Sequence, residues 1–266
     1  MVIVREVGGY KASLMENREI FKYCPYKNGL EILSSQSLKF TNPMEFNDPF
    51  EFDINLLKFD FNDLEPDIKK DYESIKNNYV QQYGQGIETF IESIPKHKLE
   101  ESYKKSQLDK ISRSSVCCFS KEKKNIVLWA HYADQHNGVC LIFDVLSTEP
   151  FHNHANYVIS QGPVIYESYG NYQPSNYLKD KLVGISKLLF TKSKDWEYEN
   201  EYRYQMLDNG GFIRFNNAFL KGIIFGLRVS DIDKTNFISA AEQMGYLELN
   251  YFHVEKKQLK LEISVY

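Results

Sequence analysis

Trp196-Glu197-Tyr198-Glu199-Asn200-Glu201-Tyr202-Arg203-Tyr204 is the most telling stretch of this chain. Taken as a β-strand, its period-two alternation sets Glu197, Glu199, Glu201 and Arg203 on one face and Trp196, Tyr198, Tyr202 and Tyr204 on the other. The aromatic face suits a core. Carboxylates in one row repel, so a sheet carries them only in water or opposite cationic or ligand partners. Two readings stay open. One is a solvated face on which Arg203 relieves the repulsion. The other is a rigid set of carboxylates that orients a polyhydroxylated ligand and stabilises a cationic transition state.

Working outward, Asn209-Gly210-Gly211 is a strong turn signal and predicts a hairpin between strands at 196–207 and 211–215. Further strands are expected at 222–227, 246–254 and 259–265, with a helix at 231–244 that opens on the cap-like Asp231. Upstream, the pattern gives strands at 20–23, 37–41, 115–120, 138–144 and 164–167. Helices are expected at 28–34 (capped by Asn28), 125–134 and 178–191. Residues 1–18 read as a leader. The segment 60–112 differs: it is polar, with Ile68, Tyr72, Ile75 and Tyr79 at helical spacing, and Gly84, Gly86 and Pro95 interrupt it. It reads as two or three amphipathic helices inserted into a β-rich body. The expectation is a single α+β domain over 1–266, with a mostly antiparallel β core and a helical insert at 60–112.

Composition narrows the function. With 32 Lys and Arg against 36 Asp and Glu, the net charge is −4, which argues against a dedicated nucleic-acid binder but leaves a nucleic-acid substrate open. Aromatics at 15% exclude a disordered chain. Cys24, Cys117, Cys118 and Cys140 contain no CxxC pair and read as small buried hydrophobes in a reducing compartment. No run approaches a membrane span, so the expected location is the cytoplasm, with no membrane partner. GxGxxG, GxxxxGK[ST], HExxH, GxSxG and EF-hand signatures are all missing, and no metal is assigned.

Other candidates are short. Asn47-Asp48-Pro49-Phe50-Glu51 is either a structural corner or a rigid turn that aims Asn47 or Asp48 into a pocket. Ser120 ends a strand and either caps the next segment or offers its hydroxyl to a ligand. Trp129 and Tyr132, three apart on a helix, suit a core or a stack against a planar ring. His131, His136, His152 and His154 lack metal-like partners in the sequence.

These pieces, in order, are Lys22-Tyr23, Phe46-Asn47-Asp48-Pro49-Phe50-Glu51, Cys118-Phe119-Ser120, Trp129 with Tyr132-Ala133, His136 with Gly138, Lys192, Trp196 and Glu199-Asn200-Glu201-Tyr202-Arg203. From about residue 21 to residue 227 the chain resembles an uncharacterised bacterial family, a domain of unknown function found among mobile-element and phage-defence genes. That setting implies a defence toxin or effector, with an antitoxin or other partner protein. More distantly, the strand–helix–strand opening, the hydroxyl-bearing strand and the late E-x-E glutamates resemble ADP-ribosyltransferase folds. Lys22-Tyr23 departs from the His or Arg common on the first strand of those enzymes.

The distant resemblance implies NAD as the consumed cofactor and a protein or nucleic acid as acceptor. Glu201 would stabilise the cationic ribose and Glu199 would activate the acceptor. Trp129 and Tyr132 would sandwich the nicotinamide, and Lys22 or Arg203 would meet the pyrophosphate. Tyr23, Asn47, Asp48 and Ser120 complete the expected binding set. Two alternatives remain: a magnesium-dependent nuclease built on Asp48, Glu51, Glu199 and Glu201, and a non-enzymatic sensor of a nucleotide or protein.

Overall fold

Two sets of apolar side chains, alternating along the strands of one sheet, build a core on each of its faces. The computed structural model describes residues 18–58, 60, 70, 73, 77, 80–82, 84, 95–145, 150–151, 158–168, 175–176, 187–206 and 210–266. Among these, the strands are β1 (Glu19–Cys24), β2 (Ser37–Phe40), β3 (Leu57–Lys58), β4 (Ser115–Ser120), β5 (Val139–Asp144), β6 (Val158–Pro163) and β7 (Ile165–Glu167). They continue with β8 (Ser175–Asn176), β9 (Thr191–Ser193), β10 (Glu201–Met206), β11 (Gly211–Arg214), β12 (Leu220–Phe225), β13 (Asn250–Lys257) and β14 (Lys260–Val265). The α-helices are α1 (Tyr26–Ser35), α2 (Lys96–Ser112), α3 (Ile126–Tyr132) and α4 (Asp231–Gln243).

Eight strands form the main sheet in the order β14-β13-β12-β5-β1-β4-β10-β6. Every neighbouring pair is antiparallel except β12–β13. The fold is α+β, as the pattern of elements predicts. β5 is an unbroken apolar run before Asp144 and takes a central place buried on both sides. Its Val139, Leu141 and Phe143 join the first core, while Cys140 and Ile142 join the second.

The first core is closed by α1, α4 and a small sheet of β2 with β11, through Leu33, Phe237, Leu38, Phe40 and Ile213. The second lies under α3, where Trp129 meets the Tyr23 ring edge-on at 5.1 Å. Beside it, Phe52, Ile54 and Leu57 pack with Ile111 of α2, Val116 of β4 and Leu188-Leu189-Phe190. Between α3 and β5 the chain passes so close to β1 that a Cβ on Gly138 would stand 2.2 Å from the Cys24 carbonyl oxygen.

Three expectations are corrected. Gly210 and Gly211 take positive φ of 80° and 105°, but β11 makes no hairpin with β10. β10 has β4 on one edge and β6 on the other, so it offers no free edge, and β11 pairs with β2 instead. The stretch 196–204 is not one strand: a 3-10 turn spans Lys194–Glu199, Asn200 adopts a left-handed conformation (φ 43°), and the strand begins at Glu201. Ser193 starts that turn by accepting from the Asp195 amide, and asparagine tolerates the left-handed exit. The helix starts also move: Pro25 precedes α1 in place of Asn28, and Ser230 caps α4 in place of Asp231.

Residues 1–17 of the expected leader, the segment 60–94 apart from a few positions, His152, His154 and most of the helix expected at 178–191 lie outside the described residues. Of the expected insert, residues 96–112 are helical. Among the described residues no helix is long and apolar enough to cross a membrane.

Candidate functional site

β1 and β4 share a single register pair, Phe21↔Ser120. Beyond it they part, and the partner of Val116 on that side is Thr41, through an isolated bridge. Between these two points the Cys118 carbonyl receives the Lys22 ammonium at 2.8 Å. A cavity of about 360 Å³ opens here. Its walls include Lys22, Tyr23, Lys39, Asn47, Glu51, Ser120, Tyr132, Lys192, Glu199 and Glu201.

The acidic residues gather at one end, in the described part of the chain, around two buried cations. Arg203 is 1% exposed. It donates from Nε to Glu201 Oε1 (2.7 Å), from Nη2 to Glu201 Oε2 (2.8 Å) and to Glu51 Oε2, and from Nη1 to the Leu189 carbonyl (2.9 Å). Its guanidinium also lies over the Phe52 ring, 5.3 Å from the centroid. Lys192 places its ammonium 2.7 Å from Glu199 Oε2, 2.8 Å from Glu51 Oε1 and 3.4 Å from Glu201 Oε2, above the Trp196 ring. Three carboxylates thus face two cations, and the cluster carries one net negative charge.

That imbalance decides where a proton goes first. Burial works against an ionised Glu201, yet Arg203 and Lys192 outweigh it and hold the carboxyl down at about 2. For Glu51 burial prevails over the same two cations, with Glu201 adding repulsion, and its carboxyl titrates above the ordinary range. Between these two, Glu51 takes up a proton more readily and Glu201 stays ionised. Lys192 is desolvated, but Glu201 and Glu51 raise its pKa, so it remains charged.

The polypeptide brings Glu199 and Glu201 together through the left-handed Asn200. Glu199 ends the 3-10 turn and Glu201 opens β10, and both carboxylates reach Lys192. Two hydroxyls fix the backbone: Ser120 donates to the Glu199 carbonyl (2.6 Å), and the Tyr166 hydroxyl accepts from the Glu201 amide (2.8 Å). Tyr132, at the end of α3, donates its hydroxyl to Glu199 Oε1 at 2.6 Å. Burial and that hydrogen bond push the phenol pKa up, so it stays a donor.

Of the residues expected from sequence, Glu199, Glu201, Lys22, Tyr23, Asn47, Ser120 and Tyr132 all line the cavity. Three fall elsewhere. Asp48 is buried, with Oδ1 accepting from the Phe50 amide, so it builds the corner. Trp129 is fully buried against Tyr23, donates its indole N–H to the Lys123 carbonyl and does not line the cavity. Arg203 stands behind the glutamates, where it holds Glu201 ionised and does not reach the cavity wall. Tyr23 is itself committed through its hydroxyl to the Glu122 carbonyl.

Lys192, Glu51 and Tyr166 were missing from the expected binding set. For Glu51 a signal exists in hindsight: it is a charge set directly between two aromatic residues, Phe50 and Phe52. Among the described residues no group of three His, Cys, Asp or Glu side chains is placed to hold a metal ion. All four cysteines are free thiols. No curated protein and no solved structure matches the chain significantly. Residues 128–204, which carry Tyr132, Tyr166, Lys192, Glu199, Glu201 and Arg203, match the model of a family described as a protein of unknown function, DUF2971.

Proposed function

We propose that the cavity takes a ribose-bearing nucleotide, NAD foremost, and that the protein transfers ADP-ribose to a macromolecular acceptor. The observation that carries this reading is the alignment of three adjacent strands. Phe21 pairs with Ser120 and Ser120 with Glu201, so the first strand, a hydroxyl and the ionised glutamate stand side by side on the cavity wall. This is the order in which the ADP-ribosyltransferase resemblance expects them.

In the proposed reaction the bond between the nicotinamide nitrogen and the anomeric carbon breaks, and its electron pair leaves with nicotinamide. Positive charge develops on the ribose. A carboxylate kept ionised and dry beside that carbon stabilises it more than the uncharged ground state. Glu201, buried and ionised on the cavity wall, suits that role. The acceptor then attacks the anomeric carbon, its proton passing to Glu199. Lys22 and Lys39, also on the cavity wall, suit the anionic pyrophosphate.

Every carboxylate of the cluster is engaged by Lys192 or Arg203, which weighs against the magnesium-dependent nuclease. A sensor would share the cavity but release nothing. The test is purified protein with labelled NAD and cell lysate, following nicotinamide release and label transfer separately. Release with label on protein or nucleic acid supports the transferase and identifies its acceptor class. Release without transfer indicates a glycohydrolase. NAD bound without release indicates the sensor, and no binding by folded protein refutes the reading. Glu201→Gln is expected to lower release at least 100-fold, of the order found when one stabilising group is removed.

A further inference from the structure

Glu199 is sealed on one side by a group that can leave. Its Oε2 is held by Lys192, whose side chain is 7% exposed and which also contacts Glu51 and Glu201. Both oxygens of Glu201 are held by Arg203, equally fixed in the core. Glu199 Oε1 is instead occupied by the Tyr132 hydroxyl. Tyr132 is 41% exposed and stands on the cavity wall. Its main chain is pinned just beyond the ring, because the His136 amide donates to the Trp129 carbonyl and the Gly138 amide to the Ala133 carbonyl. Water on one side and a fixed backbone on the other leave side-chain rotation as the available movement.

We infer that Tyr132 holds the place of a ligand hydroxyl on Glu199 Oε1, and that a ribose-bearing ligand displaces it on entry. This rests on the ribosyl reading above and adds a selection rule to it. A phenol and a sugar hydroxyl are both single O–H donors to a carboxylate. An incoming ligand with a suitably placed hydroxyl replaces the bond it breaks. A ligand without one strands a buried carboxylate oxygen and is disfavoured. Tyr132 thereby makes the acid pair available only to hydroxylated ligands, and keeps Glu199 satisfied in the empty cavity.

The test compares wild-type protein with Tyr132→Phe by calorimetric titration. The ligands are NAD and an NAD analogue lacking the 2′ and 3′ hydroxyls of the nicotinamide ribose. Phenylalanine leaves Oε1 open, so NAD binds the variant about tenfold more tightly, while the dideoxy analogue changes by less than about twofold. A 3-fluorotyrosine at position 132 gives a second readout: its fluorine resonance moves when NAD saturates the protein and stays in place with the analogue. Unchanged or weaker NAD binding by Tyr132→Phe, with wild type still binding NAD, overturns the placeholder and leaves the ribosyl reading standing. A fluorine signal blind to NAD does the same. No NAD binding by either protein overturns both.

Discussion

Replacing Lys192 with methionine removes a cation that touches all three buried carboxylates, at 2.8, 2.7 and 3.4 Å, while keeping most of the side chain's bulk. The cluster then holds Glu51, Glu199 and Glu201 against Arg203 alone, and its net charge goes from −1 to −2. Breaking a buried ion pair from one side typically costs about 3–5 kcal/mol, since the stranded charge keeps its desolvation penalty. The side chains involved are between 1% and 8% exposed, so solvent screening offers little relief. For a chain of this length the loss corresponds to a fall in Tm of roughly 6–20 °C at neutral pH. The assay is thermal unfolding followed by circular dichroism, with chemical denaturation to give the free energy. Lys192→Met combined with Glu51→Gln restores a net charge of −1 and should recover about 1–3 kcal/mol, a coupling that independent sites would not show. A Lys192→Met protein within about 0.5 kcal/mol of wild type, at unchanged m-value, would refute the buried network.

Two other predictions concern the same region. Glu201 binds its proton at about 2 in the folded protein against an ordinary 4.5, so the folded state holds fewer protons between those values. Its contribution, on the order of 3 kcal/mol, is fully present above about pH 4.5 and is lost as the pH falls toward 2. Unfolding free energies across that window should decline more steeply for wild type than for Glu201→Gln; parallel curves would contradict the assignment. Trp129→Ala removes a fully buried ring, and about 3–5 kcal/mol of stability should go with it, read from the denaturation midpoint. A variant that keeps its stability but loses NAD affinity would return Trp129 to the ligand.

The strands of the main sheet were legible where burial on both faces leaves a mark in the sequence. β4 falls on residues 115–120 as expected, and β5 begins one residue after the expected 138. What failed was the partner and the local turn. Residues 37–40 pair with 211–214 because β10 has no free edge, a fact of the assembled sheet that no local pattern carries. The aromatic-acidic alternation of 196–204 imitates a strand, but a serine cap and a left-handed asparagine convert its first half into a 3-10 turn.

The glutamate pair was legible as well, because carboxylates this close need an explanation wherever they lie. Its burial was not, since that depends on Lys192 and Glu51, which arrive from separate segments. Trp129 and Tyr132 share one short helix, yet the first is sealed in the core and the second opens on the cavity. Spacing alone does not distinguish those two fates.

The most direct measurement is a crystal structure of the wild-type protein with a carbocyclic NAD analogue whose nicotinamide bond cannot be cleaved in the proposed manner. The account predicts the nicotinamide ribose in the gap between β1 and β4, with a ribose hydroxyl on the Glu199–Glu201 pair and the Tyr132 side chain turned away. An analogue bound elsewhere, or a gap left empty at saturating concentration with Tyr132 still on Glu199, would contradict it.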